Sequence, residues 1–330
     1  MWFKNTQIVP ESKKTTTPKT IVVALGGNAL QKKGEATAEA QERVAAETAT
    51  QLVSLVKAGY RLVIVHGNGP QVGNIILHEE AVNTLDVPTL PLDSAVAMSQ
   101  GLIGYWLQKA LNNELATAGI ENQVVSIVTQ AVVDTNDPAF QNPTKPIGPF
   151  YETEAEARHI ANERKFQVKE DAGRGWRRVV PSPLPIDIIE KDTIQDLSNS
   201  GAIVIAAGGG GVPVVATEQG YLGMEAVIDK DAAAAVLADA LEAETLLVLT
   251  SVDAVMLRYG KTDQQALHHV GKSELRQYIE QGEFAAGSML PKVEAALRFV
   301  DSHPGRQAII ASLANADAAV RGTNGTIIRS

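Results

Sequence analysis

Three lysines and three glycine turns carry the residue types that could do chemistry in this chain. Lys145 sits in NPTKPIGP, Lys230 in VIDKD and Lys292 in GSMLPK, the last two near expected helix starts. A helix N-terminus is electropositive, so a lysine there gains nothing from the macrodipole. Finding it twice points to an anion supplied from elsewhere. The glycine turns are GGNAL at 26–30, HGNGP at 66–70 and GGGG at 208–211, and each follows a short apolar run. Glycine lets the backbone turn sharply and lets a ligand approach with no Cβ in the way. The N–H groups that open a following helix lack intrahelical partners and can hold an anion. Together these features describe a crevice for several phosphate-sized charges.

The elements that must position these residues alternate. The spacing predicts strands at 20–25, 60–65, 124–128, 131–133, 202–207, 226–228, 245–250, 307–311 and 326–328. It predicts helices at 36–58, 71–83, 94–118, 186–199, 230–241, 273–281, 291–302 and 314–320. Such alternation implies an α/β fold with an open, mostly parallel sheet and helices on both faces. In such sheets ligands bind at the carboxyl ends of the strands, where all three glycine turns fall. From Asp134 to Arg178 the rhythm breaks: prolines 138, 143 and 146 punctuate the start and GRGWRR closes it. A stretch this long and rich in turn residues implies a small inserted subdomain. The helix at 94–118 is apolar on most faces, which suits burial in the domain or a subunit interface.

Several chemistries are excluded. GKT at 260–262 and GKS at 271–273 have Val255 and Ala266 where a P-loop needs glycine. Gly67, Gly69 and Gly73 are spaced one residue too wide for a dinucleotide fingerprint. Protein-kinase signatures and a Gly-x-Ser-x-Gly elbow are absent. The 330 residues contain no cysteine, which removes disulfides, thiolate zinc sites and a cysteine nucleophile. None of the six histidines forms a helix-spaced pair, so no protein metal cage is expected. His66, inside the second glycine turn, reads as a satisfied structural histidine, with ligand contact as the alternative. A net charge of −9 argues against nucleic acid or anionic membrane as a partner. No apolar run approaches the ~18 residues of a membrane span. Residues 1–19 are polar and precede the first strand, as a disordered or appended tail would. With no signal-peptide pattern, a cytoplasmic location is expected.

VALGGNAL, HGNGPQVGN, NPTKPIGPF, EDAGRGWRRVVPSP, EAVIDKD and GSMLPKVEAA, in this order, resemble the carbamate kinase branch of the amino-acid-kinase family. The resemblance runs from about Thr20 to Ser330. It implies a three-layer αβα sandwich with a protruding subdomain at 134–178, a mainly nucleotide-binding half at 201–330, and a homodimer. The implied activity is reversible phosphoryl transfer between carbamoyl phosphate and ADP, with Mg2+ carried mainly on the nucleotide phosphates. The implied setting is ATP-generating catabolism such as arginine deiminase-type fermentation. Carried over by motif, Gly26, Gly27, Asn28, Gly67, Asn68 and Gly69 line the phosphoryl-transfer crevice. Lys145 serves the carbamoyl phosphate side. Lys230 and Lys292 serve the transferring phosphoryl and the nucleotide phosphates, and Asp231 holds them. Gly209 and Gly210 are expected on the nucleotide side. The insertion with Lys145 separates this branch from acetylglutamate and glutamate kinases.

Overall fold

The structure is a computed structural model that describes residues 18–32, 35–171 and 175–329; of Asn28 and Pro149 it describes the backbone alone. The expected tail therefore lies, up to residue 17, outside the described residues. The central sheet has eight strands. Their spatial order is His269–Gly271, Thr326–Arg329, Gln307–Ser312, Thr245–Thr250, Thr20–Leu25, Arg61–His66, Ile203–Ile205 and Val124–Ser126. Pairing is parallel except between Gln307–Ser312 and Thr326–Arg329.

The period-two alternation of each strand dictates the layers. Ile21, Val23 and Leu25 face one way and pack with Leu52, Leu107 and Leu111, from helices Ala38–Lys57 and Leu92–Ala118. Val22 and Ala24 face the other way. They share a core with Leu237 and Phe299, from helices Lys230–Ala240 and Leu290–Ser302. Both faces of the sheet are thus covered, which is why its strands read as unbroken apolar runs. The result is a three-layer αβα sandwich.

The strand order reverses beside Thr20–Leu25. From that strand the chain builds outward through Arg61–His66 on one side, and the last third builds outward from Thr245–Thr250 on the other. A crevice opens where the two directions part, at the carboxyl ends of the strands.

The stretch expected to be inserted contributes a second, smaller sheet. Lys145–Tyr151, Trp176–Val180 and Gln167–Glu170 form an antiparallel sheet covered by helix Glu154–Arg164. Thr153 caps that helix by accepting from the N–H of Glu156 at 3.2 Å. The subdomain leans on helix Gly69–Ala81. There Gly73 meets Gly148 so closely that a Cβ on Gly73 would lie 3.0 Å from its backbone.

Two expected elements differ. The stretch 186–199 is a strand, Pro185–Ile188, followed by helix Lys191–Asn199. Pro185 is unfavourable inside a helix and β-branched Ile186 and Ile188 favour the strand, a preference hidden when the run is read for helical period alone. Residues 226–228 are extended and buried but join no ladder; the N–H of Val227 instead donates to the Pro181 carbonyl at 3.0 Å. Two hairpins have no counterpart in the expected elements, Val212–Thr217 with Gly220–Gly223, and Val255–Leu257 with Gln265–Leu267.

Candidate active site

Two cavities meet in the crevice. The larger, of about 350 Å3, has apolar walls from Leu249, Ala254, Met256, Phe284, Met289 and Leu313. Gly26, Gly27, Lys230 and Lys292 close its inner end. The smaller, of about 230 Å3, is lined by Gly67, Asn68, Gly69, Gly209, Lys145 and Asp229 among others. Gly27 and Lys230 line both. The strand Thr20–Leu25 and the helix Lys230–Ala240 therefore deliver one backbone turn and one cation to the point where the cavities join.

Asp231 organises the charges. It is 1% exposed, and its Oδ2 accepts from Lys230 Nζ at 3.1 Å and from Lys292 Nζ at 2.9 Å. Its Oδ1 is buried with no hydrogen-bond partner among the described residues. One carboxylate thus holds two ammonium groups from two helices. Burial pulls the Lys230 pKa down, but Asp231 and Asp229 outweigh it and raise it above the ordinary lysine value. Lys292 goes the other way. Burial and the neighbouring Lys230 charge lower its pKa, and Asp231 only partly offsets them.

Asp229 plays two parts at once. Its Oδ1 accepts from the N–H of Asp231 at 2.9 Å, which caps the helix. Its Oδ2 accepts from Lys145 Nζ at 2.7 Å, across from the subdomain. Burial would raise its pKa, yet Lys145 and Lys230 hold the carboxyl well below the usual range. The three lysines and two aspartates leave one net positive charge around the junction. The partners that let lysines sit at these helix starts are thus supplied first by the protein itself, a point that the sequence pattern alone does not reveal.

The second glycine turn is set from below. Asn68 donates from Nδ2 to Ser99 Oγ at 2.8 Å, which anchors the turn on helix Leu92–Ala118. Gly209 has φ of 65°, and a Cβ there would lie 2.2 Å from Asn68 Nδ2. Only glycine meets both demands. Gly209 therefore lines the smaller cavity, and Gly210 packs behind it against Ile228. Gly209 lines only the smaller cavity, and Gly210 lines neither. Left-handed backbone at Ala207, φ 48°, and at Gly209 brings the chain against Asn68.

His66 resolves as a structural residue. It is 1% exposed, its Nδ1 lies 2.9 Å from the Gly67 carbonyl, and burial lowers its pKa to about 4. It is neutral at physiological pH and lines neither cavity. Among the described residues no group of three His, Asp or Glu side chains could hold a metal ion. The two aspartates nearest the junction are already engaged by lysines. The donor set does not suit a protein-held metal.

Sequence reasoning misses Asp229 as a partner of Lys145, because 84 positions separate them and the cap alone accounts for the aspartate. It also misses the walls of the larger cavity. Met256, Tyr259 and Phe284 belong to a hairpin and a loop that carry no motif of their own.

The fold and this crevice define a small-molecule phosphotransferase class, and comparison with known proteins agrees. A family model described as "Amino acid kinase family" matches residues 19–312. Carbamate kinase 1 of Enterococcus faecium is 54% identical over 297 residues, covering 90% of this chain and 94% of the relative. Carbamate kinase of Pyrococcus horikoshii is 51% identical, covering 94% and 98%. The structure of carbamate kinase from Giardia lamblia bound to AMP-PNP superposes with a TM-score of 0.88 at 41% identity, covering 94% and 98%. The chain belongs to the amino acid kinase family, within its carbamate kinase branch.

Proposed function

We propose that this chain transfers a phosphoryl group between carbamoyl phosphate and ADP. The observation that carries the reading is Lys230, shared by both cavities and held by Asp231. In the ATP-forming direction the bond from phosphorus to the carbamate oxygen breaks. A terminal oxygen of ADP forms the new bond to phosphorus, and carbamate leaves with the electron pair as an anion. No proton must move, so no general base is needed. The task is to bring several negative oxygens together, and fixed cations with backbone N–H donors address it.

In this reading the larger cavity takes ADP. Its apolar walls suit a base, and Lys292 and Lys230 meet the phosphates at the inner end. AMP-PNP bound to the Giardia lamblia relative supports nucleotide use. The smaller cavity takes carbamoyl phosphate beneath Lys145, with residues 134–178 acting as a lid that excludes water. Residues 201–330 supply most of the nucleotide side, although Gly209 belongs to the other half. Mg2+, held by the nucleotide phosphates and not by protein side chains, would add charge neutralisation there.

The physiological direction is ATP formation, as in arginine deiminase-type catabolism, in the cytoplasm. No helix among the described residues is long and apolar enough to cross a membrane. A homodimer is part of the same reading. Met98, Leu102 and Tyr105 stand exposed at helical spacing on Leu92–Ala118, one stripe that a second copy would cover.

The test is ATP formation by the purified protein from ADP and carbamoyl phosphate with Mg2+, read through a coupled hexokinase assay. Turnover with carbamoyl phosphate should far exceed that with acetyl phosphate. Better turnover with acetyl phosphate or an acetylglutamyl phosphate would overturn the substrate and leave the fold untouched.

A further inference from the structure

We propose that Asp229 is a positioning residue that ties the 134–178 subdomain to the start of helix Lys230–Ala240 through Lys145, and that it yields this lysine to the incoming anionic substrate. The proposal rests on the reading above only for the identity of that anion.

The subdomain meets the body along two flanks. On one it packs on helix Gly69–Ala81, where Gly73 abuts Gly148 and Glu80 pairs with Arg164 and Arg178. On the other, Lys145 reaches Asp229 at 2.7 Å. The smaller cavity lies between the flanks. Val72 lines it from the first, Asp229 from the second, and Lys145, Pro146 and Ile147 line it from the subdomain. The Lys145–Asp229 pair therefore spans the cavity edge.

The two flanks differ in how they can open. Close glycine contact on the first leaves no room to slide, so it acts as the fixed side. The pair on the second joins side chains that are 39% and 22% exposed. Lys145, the more exposed partner, can leave the pair for another anion without being buried. A substrate phosphate offers Lys145 more negative charge than one carboxylate does. When Lys145 moves to it, Asp229 is not stranded, because Lys230 also acts on it electrostatically and the N–H of Asp231 still donates to Oδ1. The same carboxylate caps the helix that presents Lys230 and Asp231. Occupancy of the smaller cavity is thereby read at the first turn of the helix that also serves the larger one.

Asparagine caps helices as well as aspartate does, so Asp229→Asn keeps the cap and removes the charge. Hydrogen exchange of the amides in 145–151 and 176–180, without ligand, should speed up by about two- to fivefold in Asp229→Asn. Lys145→Ala should give a similar acceleration, and the double variant should exchange no faster than either single one. The KM for carbamoyl phosphate should fall about threefold in Asp229→Asn, since no carboxylate competes for Lys145. Melting temperature and ADP affinity should stay near wild type. Unchanged lid exchange in Asp229→Asn, or additive effects in the double variant, would overturn the tether. A raised KM would overturn the competition. If Asp229→Asn does not fold, Lys145→Met and Lys145→Ala must accelerate exchange alone, or the tether fails. The exchange measurements need no turnover, so they stand or fall separately from the substrate assignment.

Discussion

The larger cavity takes its walls from side chains, whereas the smaller takes much of its lining from main-chain turns. In the first, Met256, Phe284 and Met289 offer apolar surface and leave polarity to the inner end. In the second, Gly67, Gly69 and Gly209 bring backbone close, and Lys145 and Asp229 face each other across the opening. A ligand part that must only be held needs area, and area tolerates many residues. A reacting group needs donors fixed at particular points, and such points tolerate few. The contrast predicts that substitutions around the smaller cavity act on chemistry, and those around the larger one act on binding.

The junction should show the largest effect, because it belongs to both. Lys230→Ala is expected to lower kcat by about 10²–10³, as removal of a preorganised transition-state donor does. Stability should change little, since Lys292 remains to pair with the buried Asp231. Steady-state kinetics with a thermal melt check this. A variant with wild-type turnover, or one inactive only through unfolding, would dissolve the distinction between the cavities.

Acid should act on stability through the strand behind the second glycine turn. His66 ends the strand that carries the second glycine turn, and burial lowers its pKa from 6.5 to about 4. Between those values the unfolded chain binds a proton that the folded chain refuses. His66 thus contributes nothing unfavourable above pH 6.5, and stability is lost as pH falls from there toward 4, by up to about 3 kcal/mol. Urea unfolding of wild type and His66→Asn at pH 7 and pH 5 should show a smaller acid loss in the variant. Equal losses would mean that the turn does not titrate through His66.

The strand ends are legible because glycine after a short apolar run mostly serves a sharp turn or a close approach of backbone, and GGNAL, HGNGP and GGGG all lie at the crevice. Lys145, Lys230 and Lys292 are legible only as types. Which carboxylate each meets depends on contacts 61 and 84 positions away, for Lys292 with Asp231 and Lys145 with Asp229. The glycines at 208–211 mark a sharp turn but not which cavity it lines, because the left-handed φ values that set its path leave no mark in the sequence beyond the glycines themselves. The larger cavity leaves the faintest trace. Apolar residues that wall a ligand look the same as those that wall a core, and Tyr259 differs only by standing 70% exposed.

Lys145 and Lys292 test the contrast most finely, since each lines one cavity alone. Pro146 follows Lys145, so the residue's backbone is held extended before any ligand arrives. On the proposed assignment, losing its ammonium removes one charged contact to carbamoyl phosphate and none to ADP. Lys292 is a different case. Burial and Lys230 already lower its pKa, so its charge is held at a cost that an anion at the inner end of the larger cavity would offset. A hydrogen bond to a charged group is worth about 1.5–3 kcal/mol, so Lys292→Ala should weaken ADP binding by about ten- to a hundredfold. Lys145→Ala should leave ADP binding within about twofold of wild type, because an exposed ion pair at the far cavity contributes little to it. It should instead raise the KM for carbamoyl phosphate or lower kcat. Calorimetric titration of ADP into both variants decides the matter: weaker binding in the Lys145 variant than in the Lys292 variant would exchange the two halves.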